Sequence, residues 1–235
     1  MNGTTHKCGG IALGAVATVA LHKTAGITMT EGALLLAGAS FGALLPDLDH
    51  HHSELGKRLK PVSELVCSMT KHRGFTHTGL CWIIITLVSL LITSLLGEVY
   101  SGSLASRVIT GSIFGFFIWI AADSLLNSLR PEFARSKKSR QLFDLELQSL
   151  LVLCVVFSVL ADSVIPVAYS FGVGLSIGYL SHLILDMFNP TGVPIFYGIY
   201  NGKISLANIR TGSHERGVSN VCNLITIAVF GTMFI

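Results

Sequence analysis

The sequence predicts an all-α fold, a polytopic transmembrane helical bundle of about seven spans with a cytoplasmic N-terminus. Three observations carry that expectation. Of 235 residues, 51% are hydrophobic and only 12% are charged, where an ordinary soluble domain carries about 25% charged residues. Mean hydropathy is +0.65. The apolar residues gather into long stretches, and the cations gather between alternate pairs of them. This composition argues against a disordered chain, a coiled coil, a basic nucleic-acid-binding domain and an ordinary water-soluble enzyme.

Seven stretches can be read in order: Gly9–Leu21, Gly32–Leu45, Gly79–Leu96, Val108–Leu126, Leu147–Ala168, Phe171–Met187 and Val218–Ile235. A straight span needs about 20 residues. The last five stretches are near that length. The first two are short, so they are expected to enter the bilayer fully or as a partial hairpin, returning the chain to its starting side either way. No small-residue cleavage site follows the first stretch, so it is read as part of the mature protein. The five cysteines (Cys8, Cys67, Cys81, Cys154 and Cys222) are scattered, with no CxxC spacing. They are expected to be reduced thiols in apolar surroundings rather than a disulfide framework or a structural zinc site.

Charge placement sets sidedness. Lys7 precedes the first stretch. Lys57, Arg58, Lys60, Lys71 and Arg73 lie between stretches two and three. Arg130, Arg135, Lys137, Lys138 and Arg140 lie between four and five, and Lys203, Arg210 and Arg216 between six and seven. If the stretches alternate in direction, only Lys23 and Arg107 of the 16 Lys and Arg residues fall on the other side. The positive-inside bias then puts the N-terminus and the three long loops in the cytoplasm.

Polar residues cluster at the same ends. His6 precedes stretch one. Pro46-Asp47-Leu48-Asp49-His50-His51-His52 follows stretch two, and His72-Arg73-Gly74-Phe75-Thr76-His77 precedes stretch three. Asp123 and Asn127 end stretch four, and His182 and Asp186 end stretch six. Intramembrane His and Asp residues are costly and mark functional sites by default. His182 and Asp186, four apart, share one helical face. Taken alone, they suit either two metal ligands or a hydrogen-bonded pair satisfying each other. Asp47 and Asp49 alone suit a capping turn as well as a ligand pair. His72 and His77 would diverge on a regular helix, but Gly74 allows a bend. His51 and His52 are expected to face solvent. Asp123-x3-Asn127-x3-Pro131 repeats the spacing of His182-x3-Asp186-x3-Pro190, which coincidence would also give.

Taken together, His6, Asp47, Asp49, His72, His77, His182 and Asp186 make seven candidate ligands of mixed imidazole and carboxylate type. Zn²⁺ and Mn²⁺ accept such a shell. Seven exceed one tetrahedral zinc and suit two ions, as in many phosphoesterases. Arg73 beside them suits a bidentate grip on phosphate, or equally a cytoplasmic anchor. Asp49 and Asp186 are the carboxylates expected to serve catalysis, Asp49 as proton acceptor.

Leu45-Pro46-Asp47-Leu48-Asp49-His50, Leu55-Gly56-x-Arg58-Leu59-Lys60, His72-Arg73-Gly74-Phe75-Thr76-His77 and Gly178-Tyr179-Leu180-Ser181-His182 with Asp186, Pro190 and Gly192-Val193-Pro194 resemble the YdjM family. That resemblance implies a bacterial inner-membrane protein described as a metal-dependent hydrolase. It covers about Thr5–Leu80 and Gly174–Phe196. Residues 97–173 then read as a helical insertion within a single integral-membrane domain, 1–235. A more distant similarity, to zinc-dependent phospholipase C and nuclease folds, suggests phosphodiester chemistry by analogy.

The expected activity is therefore hydrolysis of a phosphoester in a membrane lipid or lipid-linked substrate, with two divalent ions facing the cytoplasm. A metal-ion or proton-coupled transporter and a non-enzymatic membrane scaffold or regulator are the alternatives. Neither the His-Glu-x-x-His helix of an intramembrane zinc protease nor a Pro-Ser-Gly-His phosphatase element is present.

Overall fold

The structure is a computed structural model. It describes residues 2–70, 73–129, 139–197, 202–207, 209 and 215–232, with the side chains of 121–147 and 215 left aside. The fold is all-helical. The helices are α1 (Gly3–Ala25), α2 (Met29–Gly42), α3 (Glu54–Arg58), α4 (Lys60–Met69), α5 (Gly79–Val99), α6 (Leu104–Leu129), α7 (Ser139–Val159), α8 (Ala161–Val164), α9 (Tyr169–Met187) and α10 (Glu215–Gly231). Short 3₁₀ turns occupy Pro46–Asp49, Phe75–His77 and Ile165–Val167. Among the described residues the only β pairing is one isolated antiparallel bridge, Val193 to Ile204.

The chain divides into two compact units. One holds Met1–Leu90 with Ser170–Ile235, and the other holds Leu91–Tyr169.

In the first unit, α1 and α2 form a hairpin whose turn is written in the sequence. Gly26 takes a left-handed conformation (φ 67°) and its N–H closes on the His22 carbonyl at 3.1 Å. Two residues on, Thr28 and Glu31 make a reciprocal capping box that satisfies the first N–H groups of α2. Helix α9 lies against α2 along a seam of glycines. Gly38 and Gly42 of α2 face the backbone of Phe171 and Leu175, and Gly174 and Gly178 of α9 face the carbonyls of Leu35 and Ala39. A Cβ at any of the four would collide with backbone. Both helices thus present a small-xxx-small face, which lets two apolar helices approach to backbone contact.

Helix α5 is tied to α9 by polar clasps. The Trp82 indole N–H donates to the Ser176 carbonyl at 3.0 Å, and the Thr86 and Ser176 hydroxyls pair at 2.7 Å. Its outer face exposes Leu80, Ile83, Ile84, Leu87 and Val88. The interior of this unit, by contrast, buries Thr5, His6, Lys7, Asp49, His77, His182 and Asp186. An apolar exterior around a polar interior is the arrangement of a protein solvated by lipid, since exposed apolar surface on this scale is foreign to a water-soluble monomer.

The second unit is an α6/α7 hairpin continued by α8. Its helices close on Gly111 and Gly115, which face the backbone of Ser158 and Cys154. Leu151, Val152, Val155 and Val159 of α7 are exposed.

The span count differs from the sequence expectation. Among the described residues, three helical segments are long and apolar enough to cross a membrane: Gly3–Ala25, Met29–Asp49 and Gly79–Val99. Counting the bent pair Gln148–Val159 and Ala161–Val167, which turns by 70°, as one span gives four. The first two stretches gain length: α1 starts at Gly3, six residues before its apolar stretch, and the next segment runs on through the Pro46–Asp49 turn. The shortfall comes from later helices. Over its described side chains the apolar part of α6 is Leu104–Ile120, α9 carries Ser181, His182 and Asp186 within its length, and α10 has only 17 residues.

Candidate metal centre

The site forms where the α2/α9 seam ends. Gly178 and His182 are four residues apart, so the face that packs against α2 continues directly into the His182 imidazole. Its Nδ1 donates to the Ala43 carbonyl at 2.7 Å, in the turn just after α2. A carbonyl can only accept, so Nδ1 carries a proton, and in the neutral ring Nε2 presents a lone pair.

The acidic turn comes next. Pro46 starts the 3₁₀ segment, where its missing N–H costs nothing. Two serines hold the turn from outside. Ser53 Oγ donates to the Asp47 carbonyl at 2.7 Å, and Ser63 Oγ to the Leu48 carbonyl at 2.8 Å. Gly56 packs so closely under the His50 carbonyl that a side chain would collide with it, which accounts for the Leu55-Gly56 step.

His77 approaches from the turn before α5. Its Nδ1 lies 3.0 Å from Thr76 Oγ1, whose own hydroxyl donates to Asp49 Oδ2. The same carboxylate oxygen faces His77 Nδ1 at 3.3 Å and accepts the Arg73 backbone N–H at 2.9 Å. Asp49 therefore fixes the His77 ring with its Nε2 turned inward, as carboxylates behind metal-ligating histidines do. Tyr179 of α9 braces the turn by donating to the Thr76 carbonyl.

The two inward-facing nitrogens meet. His77 Nε2 and His182 Nε2 are 3.3 Å apart. Asp47 Oδ1 lies 3.9 and 3.8 Å from them, and Asp186 Oδ2 lies 3.6 and 3.8 Å from them. Tetrahedral coordination at ~2.0–2.1 Å separates neighbouring ligand atoms by about 3.4 Å. These separations are compatible with a cation among Asp47, His77 and His182, with Asp186 Oδ2 beside the same two nitrogens. The contact between the two rings is a hydrogen bond when one Nε2 carries a proton, and a pair of donors for a cation when neither does.

His6 adds a fifth group. Its ring stacks on that of His182 with centroids 3.6 Å apart, and its Nε2 is 3.4 Å from Asp186 Oδ1. The ring is wholly buried, with no hydrogen bond on either nitrogen among the described residues. Asp186 thus sends one oxygen toward His6 and the other toward His77 and His182. Two overlapping triads result, His6/His182/Asp186 and Asp47/His77/His182.

Arg73 turns inward rather than out to headgroups. Its Nη2 is 3.1 Å from Asp186 Oδ2, and its Nη1 donates to Thr191 Oγ1. The side chain is only 15% exposed.

Of the residues singled out from sequence, His6, Asp47, His77, His182, Asp186 and Arg73 come together. Asp49 does not join the inward-facing donors. It sits behind His77, and its Oδ2 is taken by Thr76, the Arg73 backbone and the His77 edge. His72 and Lys71 lie outside the described residues, as do the side chains of Asp123 and Asn127 and the loop 130–138. His51 and His52 are exposed. The Ala43 carbonyl, Thr76, Tyr179 and Thr191 were not singled out from sequence. The spacing Gly38-x3-Gly42 and Gly174-x3-Gly178 was a readable signal for the seam that brings Asp47 to His182.

Apolar lipid-facing helices around a buried His/Asp cluster define an integral membrane protein with a ligand-type polar centre. The chain belongs to the YdjM inner membrane protein family, whose sequence pattern matches residues 1–234. It is 33% identical over 91 residues to Inner membrane protein YdjM of Escherichia coli (strain K12), covering 39% of this chain and 44% of that protein. It is 34% identical over 89 residues to Uncharacterized protein YvsG of Bacillus subtilis (strain 168), covering 38% of this chain and 51% of that protein. The chain thus spans about half the length of the curated relatives it matches. No solved structure matches it.

Proposed function

We propose that this protein is a multi-pass inner-membrane hydrolase. In this reading it depends on divalent metal and acts on the phosphoester of a lipid or lipid-linked substrate from the cytoplasmic side. One observation carries the reading: two buried imidazole Nε2 atoms 3.3 Å apart, flanked by the Asp47 and Asp186 carboxylates and locked from behind by Ala43 and Asp49.

Asp47, His77, His182 and Asp186 would hold one ion. His6, with Asp186 as a shared carboxylate, offers the start of a second, and either Zn²⁺ or Mn²⁺ suits these donors. A metal there supplies Lewis acidity and a bound water of lowered pKa. The chain's own groups do the rest. Asp49 and Thr76 orient His77. Asp47, 17% exposed while the other donors are 0–1% exposed, is the carboxylate placed to accept a proton from the solvent side. Arg73 offers guanidinium donors to a phosphoryl group. The cytoplasmic orientation and the alternation of about seven stretches rest on cation placement, with Lys57, Arg58, Lys60 and Lys203 near the cluster-bearing ends. A site at the end of a lipid-facing bundle suits an amphiphile whose headgroup reaches the ligands while its tails stay in the bilayer.

The test is elemental analysis of detergent-purified protein, followed by a chelator-controlled assay of phosphate or headgroup release across a lipid panel. Bound transition metal, its loss in His182→Ala, and chelator-sensitive release are expected. A folded, metal-free protein would overturn the reading in favour of a scaffold. Metal uptake into sealed vesicles without turnover would overturn it in favour of a transporter.

A further inference from the structure

Arg73 is held more firmly than a surface arginine. Its backbone sits in the left-handed region (φ 56°), a conformation that non-glycine residues rarely adopt and that persists only where surroundings impose it. In that conformation the Arg73 N–H donates to Asp49 Oδ2 at 2.9 Å. The side chain runs inward, where Nη2 meets Asp186 and Nη1 meets Thr191. Thr191 is fixed in turn. Its hydroxyl donates to Asn189 Oδ1 at 3.3 Å, and the turn is closed by the Gly192 N–H on the Asn189 carbonyl at 2.9 Å. The loop is pinned beyond it by the Val193–Ile204 bridge.

The oxygen that Arg73 contacts is the one that faces the histidines. Asp186 Oδ2 is 3.1 Å from the guanidinium and 3.6 and 3.8 Å from His77 and His182 Nε2. A guanidinium and a divalent cation among those nitrogens would call on the same oxygen. Buried carboxylates need a counter-ion, and Arg73 supplies it to Asp186 when no metal does. Guanidinium carries five N–H donors in a planar fork suited to phosphate.

We infer that Arg73 is a two-position counter-ion that couples metal and phosphoryl occupancy of this site. It holds Asp186 in the metal-free protein. Once a divalent cation takes that carboxylate, its fork, backed by Thr191 Oγ1, receives a phosphoryl group. The inference rests on the metal-centre reading above and adds an order of binding: metal first, phosphoryl anion second. The anion is recognised by its phosphoryl oxygens, whether carried by a lipid headgroup or free in solution.

The experiment is Mn²⁺ titration of the full chain in uncharged detergent, alone, with inorganic phosphate, and with short-chain phosphatidic acid. Linkage is reciprocal, so an anion that needs the metal-bound state tightens Mn²⁺ binding, here by about tenfold. Enhancement by phosphate and by phosphatidic acid supports a free phosphoryl site, and enhancement by the lipid alone supports a headgroup site. Arg73→Gln should bind Mn²⁺ several-fold tighter than wild type without anion, because a competing cation is gone, and should lose the anion effect. Thr191→Val should leave anion-free Mn²⁺ binding near wild type and weaken only the anion effect, which separates the arm from any general loss of folding. Arg73→Gln binding Mn²⁺ no tighter than wild type, or keeping the full anion effect, overturns the inference and leaves the metal reading standing. Wild type that binds no Mn²⁺ overturns both.

Discussion

Two helix pairs in this molecule close by the same device and do different things. In the first unit, Gly38 and Gly42 of α2 meet Gly174 and Gly178 of α9. In the second, Gly111 and Gly115 of α6 meet Ser158 and Cys154 of α7. All three glycine pairs have the x3 spacing that lets helices touch backbone to backbone in an apolar solvent. The α2/α9 seam runs on into Asp47, His182 and Asp186. The α6/α7 pair, over its described side chains, continues into Trp119, whose indole N–H donates to Ser149 Oγ at 3.0 Å. Close packing is thus a general means of assembly in this chain, and the residues beyond the last glycine decide whether it builds a site.

The largest effect that can break this comparison comes from filling the seams. Gly178→Val drives a branched side chain into the Ala39 carbonyl, and Gly115→Val drives one into the Cys154 backbone. Overpacking costs about 1–3 kcal/mol or more where backbone is the obstacle, so both variants should unfold at lower denaturant than wild type in detergent. Their metal content should differ. Protein that remains folded should lose bound metal in Gly178→Val and keep it in Gly115→Val. Equal retention in both would separate the seam from the site.

A smaller effect sharpens the same contrast through carboxylates. Asp49→Asn keeps the shape beside His77 but removes the charge that orients its ring. Groups behind a metal ligand are worth about 10–100-fold in affinity, and a loss of that size is expected in metal titration. Asp162→Asn in the second unit removes the carboxylate that pairs with Arg107 and should leave metal affinity unchanged. An Asp49→Asn protein with wild-type affinity would make Asp49 a bystander.

These contrasts also show how much could be read from the sequence. The i, i+4 pairing of His182 and Asp186 was legible because one α-helical face fixes it. The division of labour between Asp47 and Asp49 was not. In a 3₁₀ turn, with three residues per revolution, positions two apart point in well-separated directions, so one carboxylate faces the cluster and the other lies behind His77. A sequence pattern of Asp-x-Asp carries no sign of which turn it will adopt. The all-helical class was legible from composition, but the number of spans was not. Helix α9 buries Ser181, His182 and Asp186 among its partners, and residues chosen for the interior dilute the hydropathy that marks a span. Lys7 misleads in the same way. It reads as a flanking cation, yet it is buried inside α1 and paired with Glu54 at 2.8 Å. The long-range partners, Thr191 above all, depend on a loop whose position local pattern does not encode.

The finest contrast is between two indoles. Trp82 on α5 donates to the Ser176 carbonyl at 3.0 Å and lies 3.1 Å from its hydroxyl, in the half-buried seam beside α9. Trp119 donates to Ser149 Oγ, which is exposed. Replacing each by Phe removes the N–H and keeps most of the ring. Interhelical hydrogen bonds in membrane proteins average about 0.6 kcal/mol, and Trp82→Phe should cost about that in reversible unfolding, because the lost donor lies in the half-buried seam against Ser176. Trp119→Phe should cost less, because the exposed Ser149 hydroxyl reorients to another partner. Equal costs would mean that the surroundings of the two clasps, and not only their chemistry, are alike. The difference between a seam that builds a site and a pair that only packs would then rest on the His and Asp residues alone.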